Sequence, residues 1–228
     1  MLATVGNVRY AVLISAALFF LVPAGAQAAP KLSVSLSQNT VRYGASHTIN
    51  GTLVDGTTPL AAQEVVLEGR RYPYEGSYRV IARATTDADG KFAIKAALDR
   101  NHKLRVTAPA QALTSGVVQA YTLPSFDLSF RALKPGVVRL YQRYTVPKTV
   151  KLTAPTLFYL GKRGAKKASL RETGDVTRVK AGRYTSQVDV TLPAGWHGAF
   201  RYASCFRPSP STGMGDPAAK CAKLRLAF

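Results

Sequence analysis

The sequence predicts an all-β protein of two β-sandwich domains, the first immunoglobulin-like, behind an N-terminal signal peptide. Three observations predict it. Short runs alternate apolar with polar residues, turn-forming Gly, Pro, Asn and Asp recur at intervals of roughly ten residues, and helix-period stretches are weak. Of the 228 residues 46% are hydrophobic, enough for a packed core.

Residues 1–28 read as the signal peptide. They hold no acid and one base, Arg9, followed by an apolar run from Ala11 to Val22, then Pro23 and the small-x-small triplet Ala26-Gln27-Ala28 of a cleavage site. The run is 12 residues long. A membrane span needs about 20. The rival is an uncleaved anchor, helped by the apolar residues of Leu2 to Val8. The expected location is therefore secreted or extracellular, with cell-envelope association open. The chain is not expected to be an integral membrane protein unless the leader is retained.

From 30 to 124 the strands can be taken in order. Leu32, Val34 and Leu36 alternate with polar residues; Tyr43-Gly44-Ala45 breaks the run; Ile49, Gly51 and Leu53 mark a second strand, ending at Val54-Asp55-Gly56. Pro59-Leu60 leads into Glu64–Glu68, and a loop from Arg70 to Gly76 follows. Next, Tyr78, Val80, Ala82 and Ala84 fall on one face before Thr86-Asp87-Ala88-Asp89-Gly90, and Phe92, Ile94 and Ala96 on one face after it. Asp and Gly tolerate the positive φ of a tight reversal, so this stretch is expected to be a β-hairpin. Leu104 and Val106, then Val117 to Leu123, supply the last strands. Seven short strands at this spacing suit an immunoglobulin-like sandwich.

Val41-Arg42-Tyr43-Gly44, Ile49-Asn50-Gly51-Thr52-Leu53, Pro59-Leu60-Ala61-Ala62-Gln63-Glu64-Val65 and Ala84-Thr85-Thr86-Asp87-Ala88-Asp89-Gly90-Lys91-Phe92 carry a resemblance. Over roughly 31–124 the chain resembles the modular immunoglobulin-like domains of secreted bacterial proteins, which are close in shape to the transthyretin-like regulatory modules of carboxypeptidases. The resemblance implies a non-catalytic spacer or binding unit on an exported protein. Its motifs are turn and core positions, so they speak to fold more than to function.

Residues 125–228 read as a second sandwich. Phe126, Leu128 and Phe130 alternate; Lys134-Pro135-Gly136 turns the chain; Val138, Leu140 and Tyr141 follow. Leu157-Phe158-Tyr159-Leu160 is apolar on both faces, as in a central strand. Tyr184, Val188 and Val190 mark another strand, closed by Pro193-Ala194-Gly195, then Phe200 with Tyr202, and a terminal strand from Ala222 to Phe228. A short helix is expected in Pro217–Cys221.

Charge separates the halves. Residues 30–124 carry 11 Lys and Arg against 7 Asp and Glu, and residues 125–228 carry 19 against 5, nets of +4 and +14. The densest cluster, Gly161-Lys162-Arg163-Gly164-Ala165-Lys166-Lys167, sits where a hairpin tip is expected. Lys162, Arg163, Lys166 and Lys167 are the candidate contacts for an anionic cell-envelope polymer or surface. The plain alternative is a solvated loop that keeps the protein soluble. A second surface protein is another candidate partner, while cytoplasmic nucleic acid is disfavoured by the leader.

Cys205 and Cys221 are expected to form a disulfide, because an even pair in an exported chain is most simply bridged. Trp196, the sole tryptophan, either plugs the second core or stacks on a sugar ring beside Tyr184 or Tyr202. No catalytic residue, metal ligand set or cofactor motif emerges. His47, His102 and His197 are scattered, no HExxH or S-x-x-K occurs, and Asp87-Ala88-Asp89-Gly90 lacks the EF-hand spacing. The expected function is an exported, non-catalytic binding or adhesion module at the cell envelope. The alternatives are a structural spacer with no ligand, or a carbohydrate-active hydrolase or carbohydrate-binding protein.

Overall fold

The computed structural model describes residues 29–162, 164, 165, 167–196, 199–205, 211–215 and 222–227. The expected signal peptide and the expected helix at Pro217–Cys221 lie outside them. The first half contributes β1 (Pro30–Leu36), β2 (Thr40–Arg42), β3 (Ser46–Asp55), β4 (Thr58–Pro59), β5 (Glu64–Arg71), β6 (Arg79–Thr85), β7 (Lys91–Ala97), β8 (His102–Ala108), β9 (Leu113–Thr114) and β10 (Val118–Leu123). β3 pairs with β1, β4 and β7 in one sheet; the other runs β2-β10-β8-β5-β6, with β9 on β8. The second half contributes β11 (Ser125–Lys134), β12 (Val137–Thr145), β13 (Thr156–Lys162), β14 (Leu170–Gly174), β15 (Val176–Lys180), β16 (Arg183–Thr191), β17 (Ala199–Cys205) and β18 (Ala222–Ala227), in sheets β11-β12-β16-β15 and β14-β13-β17-β18. The protein is all-β, built as sandwiches.

Period-two alternation creates each core. Ile49, Leu53, Phe92 and Ile94 from one sheet meet Val65, Leu67, Leu104 and Val106 from the other. In the second half Val138, Leu140 and Val190 face Phe158, Leu160 and Tyr202. Each such side chain, fully buried, contributes about 1.5–3 kcal/mol.

The hairpin expected at Thr86–Phe92 is not one. The turn is tight: Gly90 has φ +69°, its N–H donates to the Asp87 carbonyl at 3.0 Å, and Asp87 Oδ1 accepts from Asp89 N and Lys91 N. Yet β6 pairs with β5 and β7 with β3, so the turn carries the chain from one sheet to the other. Alternation reports which face is buried, and both arms face the same core from opposite sides. The regular face expected for Tyr78–Ala84 also breaks. A register slip at Leu67/Glu68 turns Ile81 inward and leaves Val80 53% exposed. β15 gave no apolar alternation, because as an edge strand it is exposed beyond Val176.

Segment 211–215 joins the halves. Asn101 N donates to the Gly213 carbonyl at 2.8 Å and Asn101 Nδ2 to the Gly215 carbonyl at 2.9 Å, while Gly215 N donates to the Thr122 carbonyl at 2.9 Å. Met214, between the two glycines, is buried against Tyr144, Val150 and Tyr184 of the second half. Gly213 is required: a Cβ there would stand 2.6 Å from the Tyr72 ring.

Candidate anion-binding site

The basic cluster does form a hairpin tip. β13 and β14 pair antiparallel to Leu160↔Leu170, Ser169 N donates to the Leu160 carbonyl at 3.0 Å, and Ala165 N donates to the Lys162 carbonyl at 3.1 Å. Lys162 and Lys167 are exposed on it; Arg163 and Lys166 lie outside the described residues.

The tip folds back over the outer face of its own sheet. Tyr159 and Gly161 of β13 sit opposite Ala203 and Arg201 of β17. Gly161 lets the hairpin come close, since a Cβ there would lie 3.3 Å from Ala168 Cα and the Lys167 carbonyl. Arg201 Nη2 donates to the Ala165 carbonyl, fastening the tip down. Between tip and sheet lies a depression of about 140 Å³ whose lining includes Lys162, Lys167, Arg201 and Tyr159 and, among the described residues, no carboxylate. Beside it the Arg171 guanidinium stands 5.9 Å from the Tyr159 ring centroid. Like charges around one depression repel one another, and an anion bound there would relieve that repulsion. Salt screens the attraction beyond about 8 Å.

Arg201 and Tyr159 were not among the candidates. The alternation of Phe200 and Tyr202 signalled that Arg201 faces away from the core. Its approach to the tip depends on the β13–β17 register, which is not local information.

No protein-family model matches the chain, and no curated protein matches it. Among solved structures, the native conformation of alpha-2-macroglobulin from E. coli is similar at 13% identity with a TM-score of 0.32. The match covers 88% of this chain and 14% of that one, so the chain spans about a seventh of its length.

Trp196 is half-buried against the second core, with the Lys162 ammonium 5.5 Å from its ring centroid. The two tyrosines expected beside it do not build a platform. Tyr202 is fully buried and stacked on Phe158, and Tyr184 belongs to the separate cluster around Met214. Burial pushes both Tyr202 and Tyr144 hydroxyls up, Tyr144 to about 12 despite its 2.7 Å bond with Thr156 Oγ1.

His47 is fully buried in β3, and His102 opens β8 with Nδ1 2.8 Å from the Arg100 carbonyl. Burial lowers the pKa of both, and His102, when protonated, lowers that of His47 further. The nearby Asp99 is engaged by Arg71 at 2.5 Å. His197 lies outside the described residues. Among the described residues no cluster of three or more His, Cys, Asp or Glu could hold a metal ion, and no helix is long and apolar enough to cross a membrane. β17 and β18 pair to Ser204↔Ala222, the sequence neighbours of the two cysteines. Cys221 itself lies outside the described residues.

Proposed function

We propose that this protein is an exported, non-catalytic binding or adhesion module of the cell envelope that grips an anionic polymer or surface through its second domain. The observation that carries the reading is the depression under the β13–β14 tip, to whose lining Lys162, Lys167 and Arg201 all contribute and which, among the described residues, holds no carboxylate. The net of +14 over residues 125–228 supports it by drawing polyanions to this half. A single exposed ion pair contributes about 0–1 kcal/mol, so useful affinity needs a repeating ligand that engages several cations at once. The first domain, in this reading, is an immunoglobulin-like module related in shape to transthyretin-like regulatory modules, supported by the turn and core motifs of residues 31–124. It serves as the spacer that carries the basic domain. A Cys205–Cys221 disulfide closes the segment that joins the two.

The test is co-sedimentation of the exported chain with isolated teichoic-acid polymer and with polygalacturonate across a salt series. The clasp at Asn101 makes a truncated first domain a poor control, so the comparison is the full chain carrying Lys162→Gln, Lys167→Gln and Arg201→Gln. Binding should fall as salt rises, and the triple variant should lose at least tenfold in affinity. Equal binding by the triple variant, or none at low salt, would leave the spacer reading in front.

A further inference from the structure

On the far side of Lys162 the surface changes character. β11 and β12 form a hairpin whose register slips near its turn: Ala132 pairs with Val138 and Lys134 with Val137, leaving Leu133 as an extra residue. A bulge of this kind aims its unpaired side chain away from the regular pleat, and Leu133 is 40% exposed. Opposite stand Leu192 and Trp196, the latter carried by the turn that closes with Trp196 N donating to the Pro193 carbonyl at 3.1 Å. Between these walls runs an open groove of about 430 Å³, lined also by Val137 and Val138 and, among the described residues, apolar except for Lys134.

The groove and the cationic depression share a boundary, because Lys162 lines the depression and also sits over the ring of Trp196. Among the described residues no carboxylate lines either one. A wholly polar polyanion would satisfy the cations and leave the groove wet. An amphiphile with an acidic head matches both halves in the order in which they lie. Trp and Leu beside Lys are also the residues that settle at a membrane interface, where the ring or branched chain enters the acyl boundary and the ammonium stays at the head groups.

We infer that the distal end of the second domain binds an anionic membrane lipid, with acyl methylenes against Leu133, Leu192 and Trp196 and the head-group anion over Lys162. The inference rests on the anion-binding reading and narrows it to a lipid surface.

Trp196 is the only tryptophan of the chain, so its emission reports on the groove alone. The exported full-length chain is titrated with phosphatidylglycerol vesicles, with phosphatidylcholine vesicles, and with soluble polyphosphate. Phosphatidylglycerol vesicles should bind and shift the emission to the blue, phosphatidylcholine vesicles should do neither, and polyphosphate should bind without the shift. Leu133→Ser, at an exposed position and with its fold checked by circular dichroism, should weaken vesicle binding at least tenfold and spare polyphosphate. Lys162→Gln should weaken both. Vesicle binding without a blue shift, or undiminished in Leu133→Ser, overturns the lipid inference and leaves the anion reading standing. Loss of binding to every probe overturns both.

Discussion

Asn101 ties the two halves together through both its backbone and its side chain. It is 7% exposed, its Nδ2 donates to the Gly215 carbonyl, and its Oδ1 accepts from Thr122 N at 2.9 Å. Replacing it by Ala leaves a buried carbonyl and a buried N–H without these partners, at about 1–3 kcal/mol for each unsatisfied group. Asn101→Ala should therefore cost on the order of 2–6 kcal/mol in denaturant titration. Asn50→Ala, which removes only an exposed bond to Ser37 Oγ, should stay within about 1 kcal/mol of the parent. If the two substitutions prove equal, the clasp contributes nothing to folding. Nothing in the sequence marks Asn101, because its partner Gly215 lies 114 residues away and glycine offers no side-chain pattern to read. Gly90 is the opposite case. Its Asp-Gly neighbourhood announces a positive φ locally, and the turn is where that signal put it.

At the scale of elements, the segment between Cys205 and Cys221 is both the loop expected to be closed by a disulfide and the piece that docks on the first half. Closing a loop of this length stabilises a fold by about 3 kcal/mol through the entropy of the unfolded chain. Cys205→Ser with Cys221→Ser should lower stability by about that amount. The doubly substituted chain should also gain hydrogen exchange at Asn101 and Gly215, since the clasp shares the loop. A native chain whose thiols titrate in denaturant without reductant would show that the bridge is absent. Local alternation made most strands legible, including the central β13 and the basic tip between β13 and β14. It could not name strand neighbours. That is why the Thr86–Phe92 turn, whose arms have matching faces, looked like a hairpin and is a crossover between sheets. The same limit separated the lysines of the tip, visible as a charge run, from Arg201 and Tyr159, which join them only through cross-strand register.

Over the whole molecule, two buried imidazoles contribute to how the fold answers to acid. His47 is lowered first by burial, against the opposing effect of the Gln38 carbonyl 3.4 Å from Nδ1, and then by His102 when protonated. His102 is lowered by burial, opposed by its bond to the Arg100 carbonyl and by Asp99, with Arg71 adding to the lowering. In the unfolded chain both titrate near their ordinary value of about 6.5. Below that value the unfolded state binds protons that the native state refuses, so stability is whole above about pH 6.5 and declines as pH falls toward the lowered native values. The basic chain adds its own self-repulsion as carboxylates are neutralised at still lower pH, so the histidine contribution has to be read as a difference between variants. Denaturant midpoints measured from about pH 7.5 down to about pH 5 should fall for the parent chain and fall less for His47→Gln with His102→Gln, the two curves converging toward acid. Parallel curves across that window would mean that neither imidazole is held neutral by the fold. Because His102 follows Asn101 directly, acid strain at this point should reach the clasp first, and hydrogen exchange at Gly215 should rise before global unfolding does.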